Sequence, residues 1–381
     1  MAVPVRYVII SVGIAIAIAA ATLIVRNGVR DQHEALPEDH DGIAGPAVLK
    51  AGADTLKATL VTPHLGCAIS GDQNLLWCAT FQLAWDVLCD LLGGPIASEA
   101  ASDVVSLLNE RRITAADVDE DSYVALAGHP TGGVDDILDR ISAALKQKFG
   151  GAAQPAMLPD RASLGPGDWV AYAYLFKSLP FEWAFTRNRT WGMSFAGRDV
   201  QTFGIHQLSE HEEDEVSASR QVLVYDYRDA NDFIIELKTR SKSDRLILAK
   251  TAPAPTLDQT IRAVQARLDV LPAKSMVKMS DLRICVLDFD ITKHYAGLVE
   301  NGWAGQQIRF KLDETGTVLK SESMAFTART QDLVFDKPFL VWFLRAGAKN
   351  PYFALWVANA ELLPPVEETL RPPGTAAADR G

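Results

Sequence analysis

The chain is predicted to adopt an α+β fold. Apolar residues recur at helical spacing as far as Phe149, strand-like runs take over from Trp169, and no strand–helix repeat runs through the sequence. Helices early and strands late give segregated layers, whereas a doubly wound sheet needs the two to alternate. In order, Ala47 to Leu60 is a helix candidate with Leu49, Ala53, Leu56 and Leu60 on one face. Asn74 to Leu92 carries Trp77, Phe81, Ala84, Trp85, Leu88, Leu91 and Leu92 at helical spacing and stops at Gly93-Gly94-Pro95, so it is expected as a central core helix. Ser98 to Arg111 and Val134 to Phe149 follow as amphipathic helices, the second with Ile137, Leu138, Ile141 and Leu145 in register and Gly150 at its end. Gly150 to Gly167 is a Gly/Ala/Pro-rich loop. Strands are expected at Trp169 to Phe176, Gln221 to Tyr227, Asp232 to Leu237, Arg245 to Ala249 and Leu282 to Phe289, with one helix at Leu257 to Leu268.

The 381 residues are 48% hydrophobic and 22% charged, with a net charge of −11. That balance fits a folded chain and argues against nucleic acid as a partner, because no basic stripe is available to neutralise phosphates. The acidic run Glu210 to Glu215 around His211 is expected as a solvated loop. Tyr7 to Val25 is uncharged and apolar between Arg6 and Arg26, long enough for a bilayer core. Ala19, Ala20 and Ala21 offer a signal-peptidase site as the alternative, and the continuation through Leu23, Ile24 and Val25 favours an anchor. Residues 1–28 are therefore expected as a transmembrane anchor or signal peptide, 29–46 as a linker, 47–364 as one domain and 365–381 as a disordered tail. The domain is taken to face the extracellular or periplasmic side. The oligomeric state is left open.

Function is expected in Gln306 to Asn359. A strand, QQIRFKLDETGT, buries Ile308, Phe310 and Leu312 in alternation. A polar segment, Val318 to Asp332, follows as an exposed loop, and two apolar runs, Phe339 to Leu344 and Tyr352 to Val357, then form a hairpin buried on both faces. This arrangement presents a peptide between two anchored ends.

Catalytic and metal motifs are not found. Gly192-Met193-Ser194-Phe195-Ala196-Gly197 misses the nucleophile-elbow spacing by one residue and is expected as a turn between strands. His64, Cys67, Cys78 and Cys89 could be drawn as a zinc set, but Cys78 and Cys89 on one helix would stand about 16 Å apart, too far to share an ion or a disulfide. His206 and His211 have no catalytic constellation around them. The expectation is a protein that is not an enzyme and uses no metal or cofactor.

Several stretches taken in order resemble the serpin family, over about Ala47 to Leu363. Asn74-Leu75-Leu76-Trp77 resembles the buried strand leading into the family's second helix, with Cys78-Ala79 where serpins carry Ser-Pro. VAYAYLFKSLPFEWAF, Val170 to Phe185, is similar to the central strand with its Phe-Lys and Trp-x-x-Phe pattern, although one residue longer and with alanine in place of the usual asparagine. Asp313-Glu314-Thr315-Gly316-Thr317 resembles the hinge Glu-x-Gly-Thr, and Phe335-Asp336-Lys337-Pro338-Phe339 the Phe-x-x-Pro-Phe beyond the reactive loop, at a spacing a few residues shorter than usual.

The resemblance implies helices packed on three mostly antiparallel or mixed sheets, with an exposed reactive loop. It also implies inhibition of a serine protease, whose cleavage of the loop is followed by insertion of the loop as a new strand. Glu314, Gly316 and Thr317 would be the hinge; Arg329-Thr330 the scissile bond for a trypsin-like protease; Phe326 and Met324 lesser baits; and Phe335, Pro338 and Phe339 the anchor. Insertion from Thr317 would bury Thr317, Leu319, Ser321, Ser323 and Ala325 and leave Val318, Lys320, Glu322 and Met324 outward. It would carry the far end roughly 40 Å. Leu319 departs from the alanine run of the family hinge, and the segment between the core helix and Trp169 is shorter than in typical serpins, so an element covering the main sheet is expected to be missing. The alternative function is a non-inhibitory serpin-fold binding or scaffold protein at a membrane.

Overall fold

The computed structural model describes residues 8–17, 48–98, 101–133, 135–150, 153, 155, 157–165, 167–205, 212–276, 280–299, 303–315 and 332–367. The chain begins with strands β1 (Val8–Ala17), β2 (Leu49–Gly52), β3 (Thr59–Thr62) and β4 (Asn74–Cys78). Helices α1 (Thr80–Leu92) and α2 (Ser102–Asn109), strand β5 (Tyr123–Gly128) and helix α3 (Ile137–Phe149) follow. Next come β6 (Trp169–Ser178), β7 (Thr186–Phe195), β8 (Arg198–Ile205), α4 (Glu212–Ser219), β9 (Val222–Asp229), β10 (Asp232–Leu237) and β11 (Asp244–Lys250). The last third holds α5 (Leu257–Val270), β12 (Lys274–Ser275), β13 (Asp281–Cys285), β14 (Leu287–His294), β15 (Trp303–Leu312), β16 (Asp332–Val334), β17 (Phe339–Arg345) and β18 (Pro351–Val357).

The strands of the described residues form three sheets, the number that the serpin resemblance implies. A six-stranded sheet runs β2-β14-β15-β1-β6-β5, an eight-stranded sheet β12-β9-β10-β11-β17-β18-β4-β3, and a four-stranded sheet β16-β13-β8-β7. α1 packs across β1, β5 and β6. Its Phe81, Trp85 and Leu88 are wholly buried, and it ends where Gly93 takes a left-handed conformation (φ 75°) and Gly94 N–H returns to Cys89 O.

Five expectations are corrected. The acidic run expected as a loop is helical from Glu212, as α4, with Glu210 and His211 outside the described residues. Ala47 to Leu60 is not a helix but β2, a single 3-10 turn at Ala53–Thr55 and the start of β3. Asn74 to Leu92 is helical only from Thr80; its first five residues are strand β4, buried throughout, and a strand dry on both faces shows no alternation to set it apart from a buried helix. Leu282 to Phe289 is two strands, broken at Val286 where the chain leaves the four-stranded sheet for the six-stranded one and Val286 N–H bonds Gln201 O. Residues 365–366 are not tail: Val200 bridges Pro365, and Val366 N–H reaches Asp199 O.

The glycine pair at 192 and 197 belongs to a hairpin. Ala196 (φ 47°) and Gly197 (φ 79°) form a two-residue turn with both residues left-handed, joining β7 to β8. Gly192 lies beside the register shift of that hairpin, where a Cβ would come within 2.8 Å of Val200 O. The buried hairpin expected at the C-terminal end is β17 and β18, paired from Phe339–Val357 to Leu344–Pro351 at the centre of the eight-stranded sheet.

Asp86 on α1 accepts from Gln82 Nε2 at 2.7 Å and lies 3.7 Å from Arg111 Nε. Burial raises its carboxyl to about 6, against the lowering pull of Gln82 and Arg111. A carboxyl raised on folding adds stability below its unfolded value of 3.8 and loses that contribution as pH climbs through about 6. The melting temperature of Asp86→Asn should therefore fall less than that of the parent between about pH 4 and pH 6. Thermal scans across that window check the difference in slope.

Candidate loop-presenting site

β15 owes its placement to a dry pattern. Ile308, Phe310 and Leu312 are fully buried, with Phe310 stacked on Phe353 at 4.5 Å, and Gln306 is equally buried. Gln306 Nε2 donates to Thr80 Oγ1 (3.1 Å) and Cys78 O (3.3 Å), while Tyr295 O–H donates to Gln306 Oε1 (3.0 Å), so the amide ties β15 to the β4–α1 junction.

The chain leaving β15 is held as far as Thr315. Asp313 is fully buried; its Oδ1 accepts from Thr315 N–H (3.1 Å) and Thr315 O–H (2.7 Å), and its Oδ2 lies 2.8 Å from Lys311 Nζ. Glu314 O accepts from Phe185 N–H at 3.0 Å, and both of its carboxylate oxygens face Arg187 Nη1, at 3.3 and 3.1 Å. Arg187 is held in turn by Gln201 Oε1 (2.9 Å), itself fixed through Nε2 to Pro365 O (2.9 Å). Burial pushes the Glu314 carboxyl up, the Asp313 charge adds to this, and Arg187 opposes both.

The far end is anchored in the other two sheets. β16 pairs in parallel with β13, and Phe335 N–H bonds Arg283 O at 2.9 Å. The Phe335 ring is wholly buried edge-on to Phe233 (4.9 Å) and Phe339 (5.1 Å), and Phe339 meets Phe195. Pro338 is exposed between them. Lys250, buried at the end of β11, donates to Ala230 O (2.7 Å) and Val334 O (2.8 Å) and pairs with Asp336. Lys250→Met leaves two carbonyls unpaired and should cost about 1–3 kcal/mol, with the urea midpoint lowered and the slope unchanged.

Among the expected site residues, the structure therefore places Glu314, Phe335, Pro338 and Phe339 at the two ends of one segment. Gly316, Thr317, Met324, Phe326, Arg329 and Thr330 lie outside the described residues, as do His206, His211 and the face pattern from Thr317 to Ala325. Arg187, Gln201 and Lys250 were not anticipated from sequence. Only Lys250 left a local trace, a lone charge closing the apolar run Leu246–Ala249.

No three His, Cys, Asp or Glu residues converge as a metal group among the described residues. Cys67, Cys78, Cys89 and Cys285 are free thiols. Cys78 sits on β4 rather than on the helix with Cys89, donates to Tyr352 O at 3.2 Å, and is pushed up to about 12 by burial. Burial lowers His64. No helix among the described residues is long and apolar enough to cross a membrane, and Val8–Ala17, within the stretch expected to span one, forms β1 of the six-stranded sheet.

No family model matches the chain, and no curated protein does. Among solved structures it is similar to native protease nexin-1 with heparin, at a TM-score of 0.44 and 10% identity, covering 75% of this chain and 92% of that one. It is also similar to thyroxine-binding globulin complexed with thyroxine, at a TM-score of 0.43 and 11% identity over 76% of this chain and 93% of that one. A human thyroxine-binding globulin structure with the same ligand gives 0.42 and 10% over 76% and 92%.

Proposed function

We propose that the chain is a serpin-type protein that offers residues 316–331 to a serine protease, with Arg329-Thr330 as the bond cut. The observation that carries this reading is the fixing of both ends: Glu314 is clamped by Arg187 and Phe185, and Phe335 is sunk between Phe233 and Phe339. A segment held at two points and polar between them costs little entropy to hold extended in a protease cleft. Arg329 selects a protease whose specificity pocket holds a carboxylate. The protein acts as a suicide substrate and needs no catalytic group, metal or cofactor of its own. Residues 1–28 serve export or membrane attachment only when Val8–Ala17 is not paired as β1 in the sheet.

A second reading, a non-inhibitory binding protein using the same loop, is favoured by one observation. The edge of β15 on which a returning loop would pair is already taken by β1. Incubating the full chain with trypsin separates the two. An adduct that survives denaturant and has the summed mass of both proteins supports trapping; complete turnover of the loop with no adduct supports the binding protein.

A further inference from the structure

β5 ends the six-stranded sheet and pairs in antiparallel with β6, from Tyr123–Leu175 to Gly128–Val170. Its two faces are covered. Val124 and Leu126 lie in the core built on α3, while Tyr123, Ala125 and Ala127 lie against the main core that holds α1. The edge opposite β6 is closed at its two ends. Lys148 Nζ donates to Tyr123 O (2.9 Å), and Ile137 N–H donates to His129 O (3.2 Å). Both donors come from α3 and not from the ladder, so the odd-numbered carbonyls of this strand, and with them its odd-numbered N–H groups, point away from β6. Between the two caps, the N–H and C=O of Ala125 and of Ala127 face outward on half-buried residues, with no partner among the described residues. Methyl side chains leave the approach open, and the one lysine on this edge guards only the Tyr123 end.

We propose that this edge docks the same edge of a second copy of the chain, antiparallel, about a two-fold axis through Leu126. That axis sets Ala125 opposite Ala127 of the other copy and Ala127 opposite Ala125, so every outward backbone group finds a donor or acceptor. The register is selected by the caps. A shift of two residues either way would oppose Ala125 or Ala127 with itself and drive the other onto Tyr123 or His129, whose carbonyls are already bonded. Leu126, half-buried on the α3 side, meets its own copy across the axis. Charge favours a second copy over an unrelated strand. Glu120 and Asp121 are exposed just before β5, and at its other end the exposed Arg140 brings Nη1 to 3.3 Å from where a Cβ on Gly128 would stand, next to His129. The two-fold axis carries the acidic end of each copy to the basic end of the other, and makes that contact twice.

Sedimentation velocity of the full chain from about 1 to 100 μM tests this, and a species of two chains should grow in across that range. Hydrogen exchange locates the contact. The amides of Ala125 and Ala127 should slow by at least about tenfold on association, while that of Leu126, already bonded to β6, should not change. Ala125→Pro removes an outward N–H, the position at which an edge strand tolerates proline, so it should fold and weaken the dimer by at least about tenfold. Arg140→Glu and Glu120→Arg should each weaken it by at least about threefold, and the two together should restore it to within about threefold of the parent. A chain that stays monomeric throughout the range overturns the proposal. A dimer whose Ala125 and Ala127 amides exchange no more slowly places its interface elsewhere and overturns it equally. Should Ala125→Pro fail to fold, the charge variants decide, and a dimer that neither single substitution weakens refutes the two-fold axis through Leu126.

Discussion

Lys177→Met is expected to lose about 3–5 kcal/mol of stability, because it removes one partner of a buried charge cluster and leaves the other in place. Lys177 Nζ lies 3.0 Å from Asp119 Oδ2 and 3.0 Å from Asp244 Oδ2, and the Asp244 side chain is only 1% exposed. Asp244 also accepts from Ser241 O–H (2.6 Å), Ser243 O–H (3.0 Å) and Tyr352 O–H (3.0 Å). The cluster stitches β6 of the six-stranded sheet to β11 and β18 of the eight-stranded one. Burial alone would raise the Asp119 carboxyl, but the hydrogen bond and charge of Lys177 outweigh it and hold it low. Burial, and next the Asp244 carboxylate, push the Tyr352 phenol well above its ordinary range. Without Lys177, the Asp244 charge keeps its hydroxyl donors and loses its counter-ion. Adding Asp244→Asn to Lys177→Met should recover part of the loss, with a coupling of about 0.5–3 kcal/mol between the two sites. Urea unfolding of the parent, both single variants and the double variant measures it; strictly additive losses would show that the pair does not act as a unit.

The same lysine shows how far the sequence could be read. Phe176-Lys177 stood out as part of a motif, yet nothing local said that its partners are Asp119 and Asp244, 58 and 67 residues away. Strands with one dry face, such as β15, were legible from alternation, and α1, α3 and α5 from their apolar stripes and caps. Strands dry on both faces were not. β4 was merged with the helix after it. β1 lies within the stretch read as an anchor, and a central strand and a bilayer span select the same uncharged apolar run. β5, β7 and β8 were passed over. β7 is rich in polar residues, and its hairpin register slips between Asn188 and Met193. At the candidate site the two ends were found because they carry short local patterns, Glu314 and Phe335 to Phe339. The clamps on those ends, Arg187 and Lys250, are brought in by sheet topology, which no local pattern records.

Arg329→Glu is expected to slow cutting of the loop by a trypsin-like protease by at least about 10³-fold, the scale on which a pocket built for a charged group rejects a substrate that leaves it unpaired. The pocket carboxylate that draws in Arg329 meets a second negative charge in the variant, so the loss combines a missing ion pair with a repulsion. Arg329→Lys keeps the charge without the bidentate fork and should stay within about tenfold of the parent. Neither change touches the fixed ends at Glu314 and Phe335, so the melting temperature should be unaltered in both, and a fall would point to a structural role instead. The cut is followed by the mass of the released C-terminal fragment, which begins at Thr330 if the assignment of the bond is right. A chymotrypsin-like enzyme gives the control. Cutting after Phe326 or Met324 should be slowed far less by Arg329→Glu, and equal loss with both enzymes would mean that the substitution disturbs the presented conformation rather than the bait. Cutting by the trypsin-like enzyme that persists in Arg329→Glu at a rate within tenfold of the parent would remove Arg329 from the reading and leave Lys320, the other basic residue of the segment, as the one to test.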